Sequence, residues 1–258
     1  MVDQGTRRWA YQDYCEAVET EVGRFLDAVR DVDPATPVPT CPGWTMGDLV
    51  KHHGMSINRV EHVVRHYSPE PVWSKDVPAT LPDHAKDYPA WLASLVKPLI
   101  TTLGAADPDT PMWTNGADRH ARYWARRLLF EAVVHRADAE IALGRAPVID
   151  GATAADGIDE LLTNLPCFTW VAERQRQLRR DGQTLHLHAT DRVAEWLIML
   201  GPDGFAWRPA HDRAHVTVEA GAGDLLLLVY GRLAPTDQRF AVTGDRALLR
   251  EWLEKSAL

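Results

Sequence analysis

The sequence has little cysteine and no cysteine pattern that could stabilise a fold. Three cysteines, Cys15, Cys41 and Cys167, occur among 258 residues, widely separated and without a CxxC pair. An odd number at such spacings favours reduced thiols over a disulfide framework. With 45% hydrophobic and 25% charged residues, the composition is that of an ordinary globular protein with one large or two modest domains.

Basic residues and long apolar runs are also scarce. Lysine and arginine number 28 against 36 aspartate and glutamate, which leaves a net charge of -8. Because phosphate contacts need a concentrated basic surface, we expect no nucleic-acid partner. No apolar run is long enough to span a bilayer, and the N-terminal residues show no signal-peptide core. We therefore expect a cytoplasmic protein without a membrane partner.

One long helix, predicted over residues 119–144, is the most informative segment. It contains no proline, and Gly144 is placed to cap its end. An alternating four-three spacing puts six residues on one stripe of this helix. They are Trp124, Leu128, Glu131, His135, Asp138 and Ala142. Charged groups beside an apolar face are costly unless they are paired or bind a metal, so Glu131 and His135 require a partner.

Two explanations of this stripe remain open from the helix alone. A glutamate and a histidine four residues apart commonly form a surface ion pair. The apolar residues around Glu131 argue against a fully solvated face and favour an inward role. Asp138 has two possible roles, because it could orient His135 or pair with a neighbouring arginine.

A second helix is predicted to begin at Thr45, with Thr45 and Asp48 forming a capping box. His52 and His53 follow in this helix and face about 100° apart. His53 lies on the more apolar stripe, so periodicity favours His53 as the inward residue. A single inward histidine is more often a core residue than a metal ligand.

Two further helices are predicted over 11–32 and 87–103, with Pro98 expected to kink the second or end it early. Four helices at this spacing predict an antiparallel bundle, a fold that builds metal sites from inward side chains on facing helices. A fifth helical segment, over 152–179, is interrupted by Pro166.

The pattern changes after residue 180 from helical to strand-like. Alternating residues and the hairpin turn Gly201-Pro202-Asp203-Gly204 predict strands. The apolar segment that Gly231 ends is predicted as a compact helix, although its six apolar residues could equally form a strand. The fold class predicted is therefore α+β. Residues 1–180 form a helical bundle domain in this prediction, and residues 181–258 form a small α/β domain.

Two histidines of the first predicted strand, His186 and His188, share one strand face in an H-x-H pattern. Such a pair can bind a metal, but no third ligand lies nearby in sequence. We therefore expect a solvent-exposed strand face, and the same interpretation applies to His211 and His215.

Three segments together resemble the mycothiol-dependent maleylpyruvate isomerase family, which belongs to the DinB-like metalloenzymes of actinobacteria. They are VPTCPGWTMGDLVKHH, WTNGADRHARYWARRLLFEAVVHRADAE and GDLLLLVYGRLAPTDQRFAVTGDRALLREWL. The resemblance covers nearly the whole chain in the expected order. It implies a DinB-like four-helix bundle that carries the metal, followed by a sterol-carrier-protein-like α/β domain that helps to close the active site.

The resemblance also implies the metal ligands. The family pattern of a tryptophan, an Asp-Leu pair and a histidine falls on Trp44, Asp48, Leu49 and His52. Its glutamate and the histidine four residues later fall on Glu131 and His135. The implied metal set is His52, Glu131 and His135, so the resemblance selects His52 over His53. Two imidazoles and one carboxylate suit Zn²⁺ or another divalent metal and leave positions open.

The activity implied by the resemblance is thiol chemistry with mycothiol as the cofactor. A metal deprotonates a coordinated thiol, and the thiolate can attack a small electrophilic substrate. Addition, rotation and loss of the thiol is cis-trans isomerisation, whereas retention of the thiol is thiol transfer. Arg232 is the first candidate for contact with an anionic substrate, and Arg213 is the second.

Two other functions remain open at this stage. One is a metal-dependent hydrolase in which activated water replaces the thiol, and the other is a noncatalytic ligand-binding or resistance protein. The expected partners are a small-molecule electrophile and mycothiol, and the expected assembly is a monomer or homodimer.

Overall fold

The computed structural model describes residues 9–258, which fold into two compact units. The helical unit comprises Trp9–Thr114 and Asp118–Val148, and the sheet unit comprises Asn115–Ala117 and Ile149–Leu258. This arrangement confirms the predicted α+β class. None of the helices in the described residues is long and apolar enough to cross a membrane. The predicted lack of a signal peptide falls partly on residues 1–8, which lie outside the described residues.

Four helices form the helical unit. They are α1 (Tyr11–Val29), α2 (Met46–Arg65), α3 (Tyr88–Ala105) and α4 (Arg122–Ala142). Helix α1 packs against α3 and α4, and α2 packs against the same two helices, as in a four-helix bundle. Large apolar side chains such as Phe25, Leu92 and Phe130 are fully buried in the unit. The four predicted helices are therefore confirmed.

Hydrogen bonds confirm the predicted start of α2 and the predicted end of α4. The Thr45 hydroxyl accepts from the Asp48 amide, while the Asp48 carboxylate accepts from the Thr45 amide at 2.9 Å. At the end of α4, Gly144 has a φ of 70°, and its amide donates to the Ile141 carbonyl at 2.9 Å. Glycine adopts this left-handed conformation without steric cost, which makes it a favoured helix terminator.

Helix α3 does not end at Pro98, because it continues to Ala105. Proline removes the amide that would donate to the carbonyl of Ser94, four residues earlier. Both Pro98 and Ser94 are exposed, so water can solvate the carbonyl that is left without a helical donor. The prediction of an early end is therefore wrong.

The sheet unit contains five strands and four helices. They are α5 (Gly151–Asn164), α6 (Thr169–Arg176), β1 (Thr184–Ala189), β2 (Glu195–Gly201), β3 (Gly204–Arg208), β4 (Val216–Ala220), α7 (Ala222–Val229), β5 (Ala241–Gly244) and α8 (Arg246–Ser256). The strand order is β3-β2-β1-β4-β5, in which only β1 and β4 pair in parallel. Strands β2 and β3 form the predicted hairpin, closed by paired Gly201 and Gly204.

Helices α5 and α6 belong to the sheet unit. Helix α5 packs against α7, and α6 packs against α8. This grouping differs from the predicted division near residue 180. The helical period of residues 152–179 predicted one helical segment interrupted at Pro166, but it could not identify the surface against which the apolar face of that segment would pack.

A close contact between α2 and α3 generates a prediction for Gly54. A Cβ atom added at Gly54 would lie 2.2 Å from Cζ3 of Trp91. In an uncrowded helix, replacing glycine by alanine stabilises the folded protein by about 0.5–1 kcal/mol. Overpacking a close contact costs about 1–3 kcal/mol, which exceeds that gain. We expect Gly54→Ala to lower the free energy of unfolding by about 1–2 kcal/mol in urea denaturation.

Gly104 in α3 provides the matched control, since a Cβ added there would lie more than 4 Å from every described atom beyond its chain neighbours and the nearby backbone of its own helix. Gly104→Ala is expected to raise the free energy of unfolding by about 0.5 kcal/mol. Equal effects of the two substitutions would show that the contact with Trp91 does not limit the space at Gly54.

Candidate metal centre

The candidate centre lies between α2 and α4 of the helical unit. One donor atom from each of His52, Glu131 and His135 lies within 4.8 Å of the other two. Nε2 of His52 is 3.4 Å from Oε1 of Glu131, and the rings of His52 and His135 are 5.0 Å apart in an edge-to-face arrangement. The structure thus brings together the three residues that the resemblance implied.

Each helix presents its polar residues along one stripe. Helix α2 supplies His52, Ser56 and Arg59, and helix α4 supplies Glu131, His135 and Asp138. Both sets follow a spacing of four and then three residues, which keeps the side chains on one face of a helix. Because α2 packs against α4, the two stripes can meet.

Three side chains compensate the charge of Glu131. Its side chain is only 15% exposed, and burial alone would raise the pKa of its carboxyl group. The hydrogen bond with His52 and the charge of Arg127, whose Nη2 lies 3.8 Å from Oε2, instead hold this pKa well below its usual range. The Ser56 hydroxyl also donates to Oε1 at 2.8 Å. Glu131 is therefore a carboxylate at neutral pH.

His135 is oriented by Asp138. Its Nδ1 lies 3.0 Å from Oδ2 of Asp138, which is fully buried. The carboxylate can accept a hydrogen bond from Nδ1–H, and in the neutral ring this arrangement leaves the lone pair on Nε2. Metal-binding histidines are commonly oriented in this way. Of the two roles considered for Asp138, the geometry favours orientation of His135.

His52 lies at the edge of the centre and is partly accessible. Its side chain is 41% exposed, and its ring packs against Trp44 with 4.9 Å between ring centroids. Two residues of the family pattern thus have visible structural roles. Trp44 contacts the donor ring, and Asp48 caps the helix that carries it.

His53 faces the core, as its periodicity predicted, but it is not part of the donor group. It is fully buried against Phe25, with 4.9 Å between the ring centroids. Burial first, and the nearby His135 second, lower the pKa of His53 to about 3, so its ring is neutral. Within the described part of the chain, neither ring nitrogen has a hydrogen-bond partner.

The sequence interpretation missed two arginines beside Glu131. Arg127 lies four residues before Glu131 on α4, and Arg59 lies seven residues after His52 on α2. Cζ of Arg59 is 5.4 Å from the centroid of the Trp124 ring, a cation–π contact. Burial lowers the pKa of Arg59, while the charge of Glu131 opposes that change. Both arginines could have been found from the sequence, because their spacing from His52 and from Glu131 places each on the same helix face as a donor residue.

The two arginines proposed for substrate contact lie in the sheet unit. Arg232 follows α7, and its Nη1 donates to the Tyr230 carbonyl at 2.7 Å. Arg213 is exposed in the segment between β3 and β4. A substrate contact by either residue remains a prediction.

A second group of possible ligands lies in the sheet unit and corrects the sequence interpretation. Donor atoms of His186, His188, Glu195 and His211 all lie within 4.8 Å of one another. The predicted exposed strand face is wrong for His186, which is 3% exposed. The two other donors are Glu195, which lies in β2, and His211, which lies in the segment after β3. His215 instead accepts a hydrogen bond from the Thr184 amide at 3.1 Å.

Comparisons with known proteins agree with the two-part fold. The profile of the mycothiol maleylpyruvate isomerase N-terminal domain matches residues 15–140, and that of the MDMPI C-terminal domain matches residues 152–251. The crystal structure of the mycothiol-dependent maleylpyruvate isomerase is similar, with a TM-score of 0.60 and 12% identity. A histidine-to-alanine mutant of that isomerase gives a TM-score of 0.62, also at 12% identity. Each comparison covers 91% of this chain and 93% of the other.

At this level of identity, the structural likeness shows the fold alone. No curated protein sequence is similar to the chain at a significant level.

The contact between Asp138 and His135 generates a prediction about metal affinity. We expect Asp138→Asn to weaken the binding of Zn²⁺ by about 10- to 100-fold, because the amide lacks the charge that makes His135 a stronger donor. Competition with a chromophoric chelator measures this change. Asp27→Asn, at a carboxylate that is 69% exposed on α1, is the control. Equal affinities for Zn²⁺ in the two variants would contradict the assigned role of Asp138.

Proposed function

The chain belongs to the mycothiol maleylpyruvate isomerase family, and we propose that it is a metal-dependent enzyme that uses mycothiol on a small electrophilic substrate. The reaction is thiol transfer or cis-trans isomerisation. The observation that carries this proposal is the convergence of His52, Glu131 and His135 from two helices, with His52 partly exposed. An accessible donor group of this kind can admit a small molecule.

The residues present fit a divalent metal. Two neutral imidazoles and one carboxylate are typical ligands of Zn²⁺ at a catalytic site, where three protein ligands leave a position open. Glu131 is deprotonated, as a metal ligand must be, and the contact of Nδ1 of His135 with Asp138 leaves Nε2 as the nitrogen that can face a metal. We propose His52, Glu131 and His135 as the residues that would hold the metal.

A divalent metal, when bound, lowers the pKa of a coordinated thiol and so supplies a thiolate at neutral pH. The surrounding side chains hold the donors in place. Ser56 binds Oε1 of Glu131, Asp138 orients His135, and Trp44 packs against His52. These contacts limit the motion of each donor, which is a requirement for a reactive site.

Positive charge near the donors supports an anionic reactant. Arg127 lies beside Glu131, and the charge of Arg59 also interacts with it. Two cations near one carboxylate leave the local potential favourable for a thiolate or a substrate carboxylate. From the sheet unit, Arg232 is the proposed contact for an anionic substrate group, with Arg213 as the second candidate.

The substrate determines which of the two reactions occurs. An electrophile with an activated double bond can add the thiolate, rotate about the resulting single bond and release the thiol. An electrophile with a leaving group or a strained ring retains the thiol as a conjugate. The same donor group serves both outcomes, so we propose the shared thiol chemistry as the function.

Loss of one ligand should lower the metal content. We expect purified His135→Ala to contain about one equivalent of divalent metal per chain less than the unsubstituted protein, because two remaining ligands hold a metal weakly. Elemental analysis measures the difference. His66→Ala, at an exposed histidine at the end of α2, is the control and should keep the full content. Equal contents in the unsubstituted protein and His135→Ala would remove the basis for metal-dependent chemistry.

Thiol dependence separates the proposed enzyme from a hydrolase. We expect turnover of a panel of small electrophiles only when mycothiol is added, and a loss on the order of 100-fold or more in His135→Ala. Product analysis by mass spectrometry distinguishes a conjugate from an isomer. Turnover without any thiol would favour activated water. If His52→Ala, Glu131→Ala and His135→Ala each left the cellular function unchanged, a noncatalytic binding protein would be favoured.

A further inference from the structure

The sheet unit carries a second group of side chains of the types that bind metals. Side chains alternate along a strand, so His186 and His188 of β1 share one face of the sheet. In the antiparallel register, Glu195 of β2 lies directly opposite His188. Two histidines and one carboxylate therefore meet on neighbouring strands.

His211 joins this group from outside the sheet. It lies between Arg208, where β3 ends, and Val216, where β4 begins. Its Nδ1 is 2.8 Å from Oε2 of Glu195, and its ring centroid is 5.4 Å from that of His186. The segment after β3 thus turns back over the face that carries the other three residues.

The carboxylate of Glu195 contacts three imidazoles unequally. Its Oε2 contacts Nε2 of His186 at 3.0 Å as well as Nδ1 of His211. Nδ1 of His188 lies 3.0 Å from Oε1, yet within residues 9–258 this buried nitrogen forms no hydrogen bond. Buried polar atoms without partners are rare and costly, and an unplaced ion is one common explanation.

We propose that His186, His188, Glu195 and His211 form a structural site for Zn²⁺ or a similar divalent ion that ties the segment between β3 and β4 to the sheet. Three imidazoles and one carboxylate complete a tetrahedral set, and a complete set of protein ligands is typical of a structural site. Their donor atoms lie within 4.8 Å of one another. Donors about 2.0–2.2 Å from a tetrahedral Zn²⁺ lie about 3.4 Å apart, so only small side-chain rotations are needed.

The burial of the ligands supports a structural role. His186 is almost fully buried and Glu195 is 23% exposed, whereas the side chain of His211 is 80% exposed. His186 and Glu195 stand on the paired strands β1 and β2, which hold them in place. The exposed ligand can adjust to the ion, and its segment is the part of the unit that such a bond would restrain.

The first test uses the full chain with the bundle donors removed by His52→Ala and His135→Ala. We expect the metal-free protein to bind about one equivalent of Co²⁺, with the intense visible absorption of a tetrahedral site, and Zn²⁺ should displace it. Adding His211→Ala or Glu195→Gln should weaken binding by at least about tenfold. His215→Ala, which changes a neighbouring histidine outside the group, is the control and should leave the affinity unchanged.

A second measurement does not require the variant in which both His52 and His135 are replaced. In the otherwise unsubstituted chain, His211→Ala should lower the Zn²⁺ stoichiometry by about one equivalent while preserving the far-ultraviolet circular dichroism, because its side chain is exposed. Zn²⁺ should also protect residues 209–215 from proteolysis in the unsubstituted chain and not in His211→Ala.

The proposal would be overturned if the folded variant with His52→Ala and His135→Ala showed no saturable binding of Co²⁺ and Zn²⁺. So would an affinity that neither His211→Ala nor Glu195→Gln changes, since a ligand cannot be removed without effect. Because the bundle donors are absent from the first test, either result leaves the proposed function of the helical unit to its own experiments.

Discussion

The buried carboxylate of Glu131 is the constraint on which the candidate centre depends. Removing a carboxylate from water costs several kcal/mol unless charges and hydrogen bonds replace the lost hydration. His52 and Ser56 provide part of this replacement from α2, and Arg127 provides part from α4. The two helices must therefore pack in one register for all three contacts to form. The arrangement that stabilises the charge is also the one that brings two imidazoles beside it.

The two donor groups contain the same types of side chain, histidine and glutamate, but helices carry one group and strands carry most of the other. On α4, a four-residue step places Glu131 and His135 on one face, whereas on β1 a two-residue step places His186 and His188 on one face. Packing of α2 against α4 completes the first group, whereas pairing of β1 with β2 and the segment after β3 complete the second. The bundle group has three donors and an exposed edge, which suits chemistry. The sheet group has four donors, which suits structural stabilisation.

The features predicted correctly from the sequence depend on residues close together in the chain. The capping box at Thr45, the terminator Gly144 and the hairpin turn between Gly201 and Gly204 are all local, because each is defined by backbone geometry over a few residues. The sequence left open whether Pro98 would kink α3 or end it early, since the outcome depends on whether the freed carbonyl is exposed to water. The position of α5 was not predicted either, because an amphipathic helix does not specify the surface that it covers.

The sequence by itself determined the capping box at Thr45, the terminator Gly144 and the local pairs Glu131–His135 and His186–His188, because each depends on residues close together in the chain. Residue spacing favoured His53 and the family resemblance selected His52, whereas only the tertiary structure brought Glu195 and His211 to the second pair. His52 and His53 are adjacent and chemically identical, and the packing of α2 directs one toward Glu131 and the other toward Phe25. His211 likewise approaches Glu195 through the path of an irregular segment. Local periodicity sets the direction of a side chain relative to its own backbone, whereas non-local packing sets what lies in that direction.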